Sequence, residues 1–323
     1  MTMERATCPV GVAVPQVHRP AVRIEWRLIV LVAAMTAIAA LFGWLNPYYL
    51  SWQNALDICR QGALLAITAL GVNLVIVCGE IDLSAGAVVG LVSVAVPGFF
   101  DLGLPTPVVV VLALLLGAAA GLANGLIVHR LLVPSFLATL GTMAIYRGLA
   151  IHISNQPRAI NDDTFVSLFN TEIAGLSLTI YYPIISAIAL ALLWRYSRFG
   201  VRVRAVGSNE QSARFAGLAT GRVKLTAFVL AGVFASAGAL VLLGRTQTGL
   251  AVAGDGLELN AIAAVILGGG RLGGGKGSVI GALLGAYFLT MMFSGIAGMG
   301  LTAAWQLIVK GLILVVVIIL MRK

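Results

Sequence analysis

Residues 61–100 read QGALLAITALGVNLVIVCGEIDLSAGAVVGLVSVAVPGFF, and they hold only two charged side chains, Glu80 and Asp82. On either side of these acids lies a charge-free run, residues 61–79 and 83–100. Each run has the length that one α-helix needs to cross a bilayer, which is about 17 to 25 residues. The stretch therefore predicts two transmembrane helices joined by a short acidic break.

Charge-free runs of the same kind fill much of the remaining chain. They are Leu28–Leu45, Leu102–Val128, Ile173–Trp194, Leu225–Gly244 and Gly277–Val309. Hydrophobic residues make up 60% of the 323 residues and charged residues 10%, whereas about a quarter of a soluble domain is charged. A soluble core of this size cannot bury so much apolar surface, so lipid is the solvent for most of the chain.

We predict an all-α fold, a polytopic membrane helix bundle of about ten transmembrane helices with both termini in the cytoplasm. A cytoplasmic N-terminal tail, residues 1–26, precedes a single transmembrane domain, residues 27–323. The predicted spans are 27–45, 61–78, 84–100, 106–128, 135–153, 177–194, 224–243, 257–270, 277–295 and 302–320. The eighth span is short and ends in three glycines, which leaves open a half-helix or re-entrant segment.

The charges of two connecting loops predict the orientation. Residues 195–224 carry seven basic residues against one acid, Glu210, whereas residues 154–176 carry one basic residue against three acids. Positive loops stay in the cytoplasm, so 195–224 is predicted to be cytoplasmic and 154–176 external. The formal net charge of +9 is thus assigned to loops at the membrane, and no nucleic-acid partner is predicted.

Nothing in the sequence predicts chemistry on this chain. The cysteines and histidines are too scattered for a disulfide framework or a metal site; they are Cys8, Cys59, Cys78, His18, His129 and His152. The stretch GGGKGS at 273–278 lacks the Ser or Thr that must follow the lysine of a phosphate-binding loop, because Gly277 stands there. We therefore expect no metal, no cofactor and no ATP hydrolysis, and no catalytic constellation is visible.

The acidic break has two compatible interpretations. Acidic side chains at membrane depth are expensive and commonly functional, so Glu80, Asp82 and Ser84 are candidates for a translocation pathway. Alternatively, the acids stabilise a helix start at the interface, where Asp82 suits an N-cap. A second Gly-rich break at 267–281 resembles the first, which raises an internal repeat of the kind found in transporters; helix packing alone also explains it.

Four more polar residues stand out within or beside apolar runs. Glu258 and Asn260 open the eighth span and join the pathway candidates. Arg147 and Lys310 are predicted intramembrane charges, and pairing of Lys310 inside the protein is favoured over contact with a substrate. Together with the acids of the break, these charges form the only candidate ion relay.

The segment 208–217 is predicted to be a short cytoplasmic helix that docks into a partner. Ser208 is placed to begin it, Gln211 is placed for a capping box, and Gly217 is placed to end it. Its further candidate contact residues are Asn209, Glu210, Ala213 and Phe215. A basic loop resting on anionic lipid is the alternative.

Several blocks in this order resemble the ribose-type family of ABC sugar permeases. They are GEIDLSAG at 79–86, PSFLATLGTM at 134–143, YRG at 146–148, AVGSN at 205–209 with Ala213 and Gly217, GLELNAIAAVILGG at 256–269 and LGGGKG at 272–277. The resemblance covers about residues 27–320. Glu80 stands where the family commonly has Gly, Ala85 replaces Val, and Arg271 stands where a small polar residue is frequent.

The resemblance implies a membrane subunit of an ATP-driven sugar importer in the inner membrane. Such permeases work in pairs, identical or paralogous, with ABC ATPase subunits that hold ATP and Mg²⁺ and with a periplasmic sugar-binding protein. Relatives carry ribose, xylose, rhamnose, galactose-like sugars or a furanosyl signalling molecule, and the sequence does not choose among them. An ion-coupled secondary transporter is the alternative, for which the candidate relay would be required.

Overall fold

The computed structural model describes residues 26–300 together with 302, 304, 305, 307–309, 311, 312 and 315. The helices within 26–300 are α1 (Trp26–Leu45), α2 (Trp52–Val77), α3 (Ala85–Asp101), α4 (Thr106–Arg130), α5 (Ser135–Ile153), α6 (Asp163–Asn170), α7 (Leu178–Tyr196), α8 (Arg198–Ser208), α9 (Glu210–Phe215), α10 (Thr220–Thr246), α11 (Leu257–Leu267) and α12 (Val279–Gly298). A 3₁₀ helix spans Pro47–Leu50. Four two-residue strands are β1 (Arg158–Ala159), β2 (Glu172–Ile173), β3 (Leu176–Ser177) and β4 (Thr248–Gly249).

A polytopic helix bundle is confirmed. Within the described part of the chain, seven helices are long and apolar enough to cross a membrane, namely α1, α2, α4, α5, α7, α10 and α12. Two shorter apolar helices, α3 and α11, account for two more of the predicted spans. The last predicted span, 302–320, and the N-terminal tail fall largely outside the described residues, so the count of ten stays a prediction.

Two predictions about these elements were wrong. Helix α2 begins at Trp52 and not at residue 61, because Ser51 caps it by accepting a hydrogen bond from the amide of Asn54 at 3.2 Å. The charged residues just before position 61, Asp57 and Arg60, therefore lie inside α2. They interrupt the charge-free run, but the helix continues through them. The 195–224 loop was expected to hold one short helix, but it holds two, α8 and α9.

Helix α11 is a half-helix, as the glycines at its end suggested. Its 11 residues extend about 16 Å at 1.5 Å per residue, roughly half of the 30 Å hydrocarbon core. An unwound segment, residues 250–256, precedes it, and the break 268–278 follows it. The eighth span is therefore a short helix between two irregular segments.

The core is built around α2, whose most apolar window is 83% buried. Helices α7, α10, α11 and α12 all pack against it. Helix α3 is buried along residues 85–97 and packs on α4, α5 and α10. By contrast, only 11% of the α1 window is buried, so α1 presents most of its apolar surface outward.

Small residues allow close packing between helices. A Cβ at Gly117 of α4 would overlap the carbonyl oxygen of Gly232 in α10, and one at Gly121 would overlap the carbonyl oxygen of Phe228. Such close backbone approach substitutes for the hydrophobic driving force that lipid removes. The glycine of α12 at position 285 is similarly close to the backbone of Ala264 in α11.

The connections collect at two ends of the bundle. At one end, β1 pairs antiparallel with β4, which joins the 154–177 connection to the segment after α10. At the other end, the amide of Gly275 donates to the carbonyl of Val77 at 2.9 Å, which joins the break 268–278 to the end of α2. The second end also contains α8, since Gly207 abuts the same carbonyl.

Candidate functional site

Three irregular segments interrupt the buried helices: residues 78–84, 250–256 and 268–278. Backbone polar groups at membrane depth must find partners inside the protein, because lipid offers none. Transporters build their substrate sites from such discontinuous helices. These segments and the side chains that satisfy them are therefore the candidate site.

Side chains of α5 satisfy the amides of the first break. The amide of Ile81 donates to Ser135 Oγ and the amide of Leu83 donates to Thr139 Oγ1, both at 3.1 Å. Gly79, with φ of +84°, turns the chain out of α2. These hydrogen bonds fix the break against α5. Ser135 and Thr139 both lie in the 134–143 block, and the sequence did not identify either residue as a contact of the break.

Asp82 stabilises the start of α3, but from a different position than predicted. Ser84 is the N-cap residue, and Asp82 Oδ1 accepts hydrogen bonds from the Ser84 amide at 2.8 Å and from its hydroxyl at 2.7 Å. Both residues are buried. The interpretation of Asp82 as a stabiliser of the helix start agrees with this geometry, and its role in a pathway stays a prediction.

A chain of buried polar groups continues from Ser84 into α4 and α5. Asn124 Nδ2 donates to Ser84 Oγ at 2.7 Å, and Thr142 Oγ1 donates to Asn124 Oδ1 at 2.6 Å. Sequence reasoning missed Asn124, although an amide within the charge-free run 102–128 is itself a signal. The network ties the break to two neighbouring helices.

Arg147 holds the unwound segment 250–256. Its guanidinium donates to the carbonyl of Ala251 at 2.5 Å, and it forms an ion pair with Asp255. The predicted intramembrane charge therefore has a partner, Asp255, which the sequence analysis did not single out. Ser93 Oγ of α3 accepts from the amide of Leu250 at 3.0 Å, so the segment runs alongside α3.

Glu258 lies where this segment meets α3. It is in the first turn of α11, and its Oε2 is so close to Gly86 that a Cβ there would overlap it. Among the described residues this buried oxygen has no hydrogen-bond partner. Asn260, on the same short helix, is half-buried. Lys310, the other predicted intramembrane charge, lies outside the described residues.

The short helix predicted within 208–217 is present with corrected ends. Asn209, not Ser208, is its N-cap, since Asn209 Oδ1 accepts from the amide of Ser212 at 2.9 Å. Ser208 instead ends α8. Gly217 follows the C-cap with φ of +79°, as predicted for the helix stop.

Two predicted docking residues of α9 face opposite ways. Ala213 is 5% exposed and packs into the protein's own core, whereas Phe215 is 84% exposed. The expectation that Ala213 presses on a partner is therefore wrong, because its side chain is already covered. Phe215 is the apolar side chain that α9 presents outward.

Glu80 forms an ion pair with a residue outside the break. Lys224 Nζ lies 2.5 Å from Glu80 Oε1 and 2.6 Å from Glu210 Oε2. Burial by itself would raise the pKa of Glu210, but its hydrogen bond and charge interaction with Lys224 outweigh burial and lower that pKa. Lys224 had been counted only as a loop charge.

Ion pairs do not join the members of the candidate ion relay that the structure describes. Glu80 belongs to the pair with Lys224, whereas Arg147 belongs to the pair with Asp255. In residues 26–300 no ion pair joins these two groups. In the same range, no three His, Cys, Asp or Glu side chains are grouped so that they could hold a metal ion.

Comparison with known proteins identifies relatives over most of the chain. The family described as "branched-chain amino acid transport system / permease component" matches residues 54–318. The ribose import permease of Bacillus subtilis (strain 168) is 34% identical, covering 86% of this chain and 88% of the relative. The autoinducer 2 import system permease of Photorhabdus luminescens is 34% identical, covering 89% and 88%. No solved structure matches the chain.

Replacing Asp82 should separate its structural contribution from any other. Asp82→Ala leaves the buried amide and hydroxyl of Ser84 without their acceptor, so we expect a loss of about 1–3 kcal/mol in the free energy of unfolding. Asp82→Asn retains an acceptor oxygen and should lose less. Unfolding of the detergent-solubilised protein measures both, with Asp163→Ala, an exposed acid on α6, as control. An Ala variant as stable as the parent would contradict this assignment.

Proposed function

This chain belongs to the family described as "branched-chain amino acid transport system / permease component". From its relatives within that family, we propose that it carries a monosaccharide or a sugar-like compound. It is the permease subunit of an ABC importer and a multi-pass protein of the inner membrane. The observation that supports the sugar class is the agreement over nearly the whole length with permeases named for ribose and autoinducer 2 import.

The irregular segments supply hydrogen-bonding groups for the proposed path of a hydroxylated substrate. Carbonyl groups of residues 250–256, the carboxylate of Glu258 and the amide of Asn260 bring hydrogen-bonding groups to membrane depth in a region of otherwise apolar helices. A sugar requires such groups in exchange for its hydration. No bond is made or broken on this chain, and selectivity is set mostly by the protein that delivers the sugar.

We assign the partners by the two ends of the bundle. An ABC ATPase, which holds ATP and Mg²⁺, docks at the end with α8 and α9, where Phe215 is exposed. A periplasmic sugar-binding protein docks at the opposite end, over the 154–177 connection. A second permease, identical or paralogous, completes the complex within the bilayer, and this chain itself binds no cofactor.

The orientation follows from the same assignment. Residues 195–224, with seven basic residues, face the cytoplasm together with both chain termini, and residues 154–176 face outward. One helix of spanning length, α7, lies between β1 and α8 along the chain. This connectivity supports opposite sides of the bilayer for residues 154–176 and 195–224.

Transport assays distinguish the importer from an ion-coupled carrier. The chain, its ATPase and its binding protein are reconstituted in vesicles, and uptake of labelled ribose and other monosaccharides is followed. We expect accumulation that requires ATP on the ATPase side and survives an ionophore that abolishes ion gradients. Uptake without ATP, driven by a proton or sodium gradient, would favour the secondary transporter instead.

Thiol labelling tests the orientation. In a background without Cys8, Cys59 and Cys78, the Thr164→Cys variant places a thiol on exposed α6, and the Ser212→Cys variant places one on exposed α9. We expect an impermeant maleimide to label only the first in spheroplasts and both after permeabilisation. The opposite pattern in spheroplasts would invert the proposed topology.

A further inference from the structure

Lys224 connects three separate elements of the fold. It lies near the start of α10, and its ammonium group contacts Glu80 in the α2–α3 break and Glu210 in α9, at 2.5 Å and 2.6 Å. We call Glu80, Lys224 and Glu210 the ion triad. The ammonium group of Lys224 thus links α9, which lies at the protein surface, to the irregular segment between α2 and α3.

The two ion pairs of the triad differ in burial. The side chains of Glu80 and Lys224 are each 13% exposed, so water screens their attraction much less than at an open surface, and separating them would leave a buried charge without compensation. Glu210 is 38% exposed, so its pair with Lys224 is the more screened of the two. Lys224 and Glu80 are therefore the tightly held pair, and Glu210 connects α9 to it.

The other ion pair of α9 does not reach the break. In the described residues, the other ion pair of α9 is internal, from Arg214 to Glu210 at 3.1 Å. Ala213 anchors the helix in the core, and Phe215 points away from it. The ion triad is therefore the charged link between α9 and the segment that opens α3.

A steric contact lies at the same place. Gly207, at the end of α8, is so close to the Val77 carbonyl that a Cβ would overlap it, and that carbonyl also accepts the hydrogen bond from Gly275. The α8–α9 unit thus touches the backbone of both breaks, 78–84 and 268–278. The unit is therefore in direct contact with both irregular segments.

We propose that Lys224 is a positioning residue for energy coupling: through the ion triad it makes the α2–α3 break follow the movement of α9 when the ATPase acts. This rests on the proposed docking of an ATPase at α9.

The test measures sugar transported per ATP hydrolysed in vesicles that contain the full complex. Lys224→Met and Glu80→Gln should each lower this ratio by about 5-fold or more, the scale of a typical coupling free energy. The double variant should lose no more than either single variant, because both changes break one link. Lys224→Arg keeps the charge and should keep most of the ratio, and Arg222→Met, an exposed cation on the same helix, should leave it unchanged.

Co-purification of the ATPase separates coupling from docking. The ion-triad variants should retain the ATPase, whereas Phe215→Ala should weaken its retention. If Lys224→Met does not assemble, the isosteric Glu80→Gln variant decides. Parental ratios in both Glu80→Gln and an assembled Lys224→Met complex would overturn this inference and leave the proposed function standing. A parental complex that moves no sugar with ATP would overturn the proposed function itself.

Discussion

The structure depends on one constraint, which is that lipid cannot hydrogen-bond to an exposed backbone. Every residue that leaves helical geometry at membrane depth must have its amide and carbonyl satisfied by the protein. Hydroxyl groups of α5 do this for the amides of Ile81 and Leu83, Asp82 does it for Ser84, and Arg147 does it for carbonyls in 250–256. The irregular segments are consequently fixed in place by named side chains, although they lack regular structure.

The same constraint determines which helices each irregular segment is tied to, and this bears on transport. Side chains that stabilise a break cannot be separated from it without cost, so each break is tied to the helices that supply its partners. The first break is tied to α4 and α5 by the polar chain through Asn124, and to α9 and α10 by Lys224. An alternating-access mechanism needs such segments to move with their supports, and the contacts at Gly207 and Val77 bring the α8–α9 unit into the same group.

The sequence predicted what depends on composition along the chain. Long charge-free runs identified most spans because lipid selects against charge at each position separately. The start of α2 was misplaced because Asp57 and Arg60 end the charge-free run although they lie inside the helix. The start of α9 was misplaced because Ser208, next to the actual N-cap Asn209, also suits a cap. Pairings across the fold were not readable: neither Asp255 with Arg147 nor Lys224 with Glu80 is close in sequence, and the burial of Ala213 depends on how α9 packs.

We expect the α8–α9 unit and the two breaks to move as one body. Amide hydrogen exchange of the complete complex, measured with and without a non-hydrolysable ATP analogue, tests this expectation. Protection of residues 207–217, 78–84 and 268–278 should change together when the nucleotide binds to the ATPase. A change confined to residues 207–217, with both breaks unaffected, would contradict it.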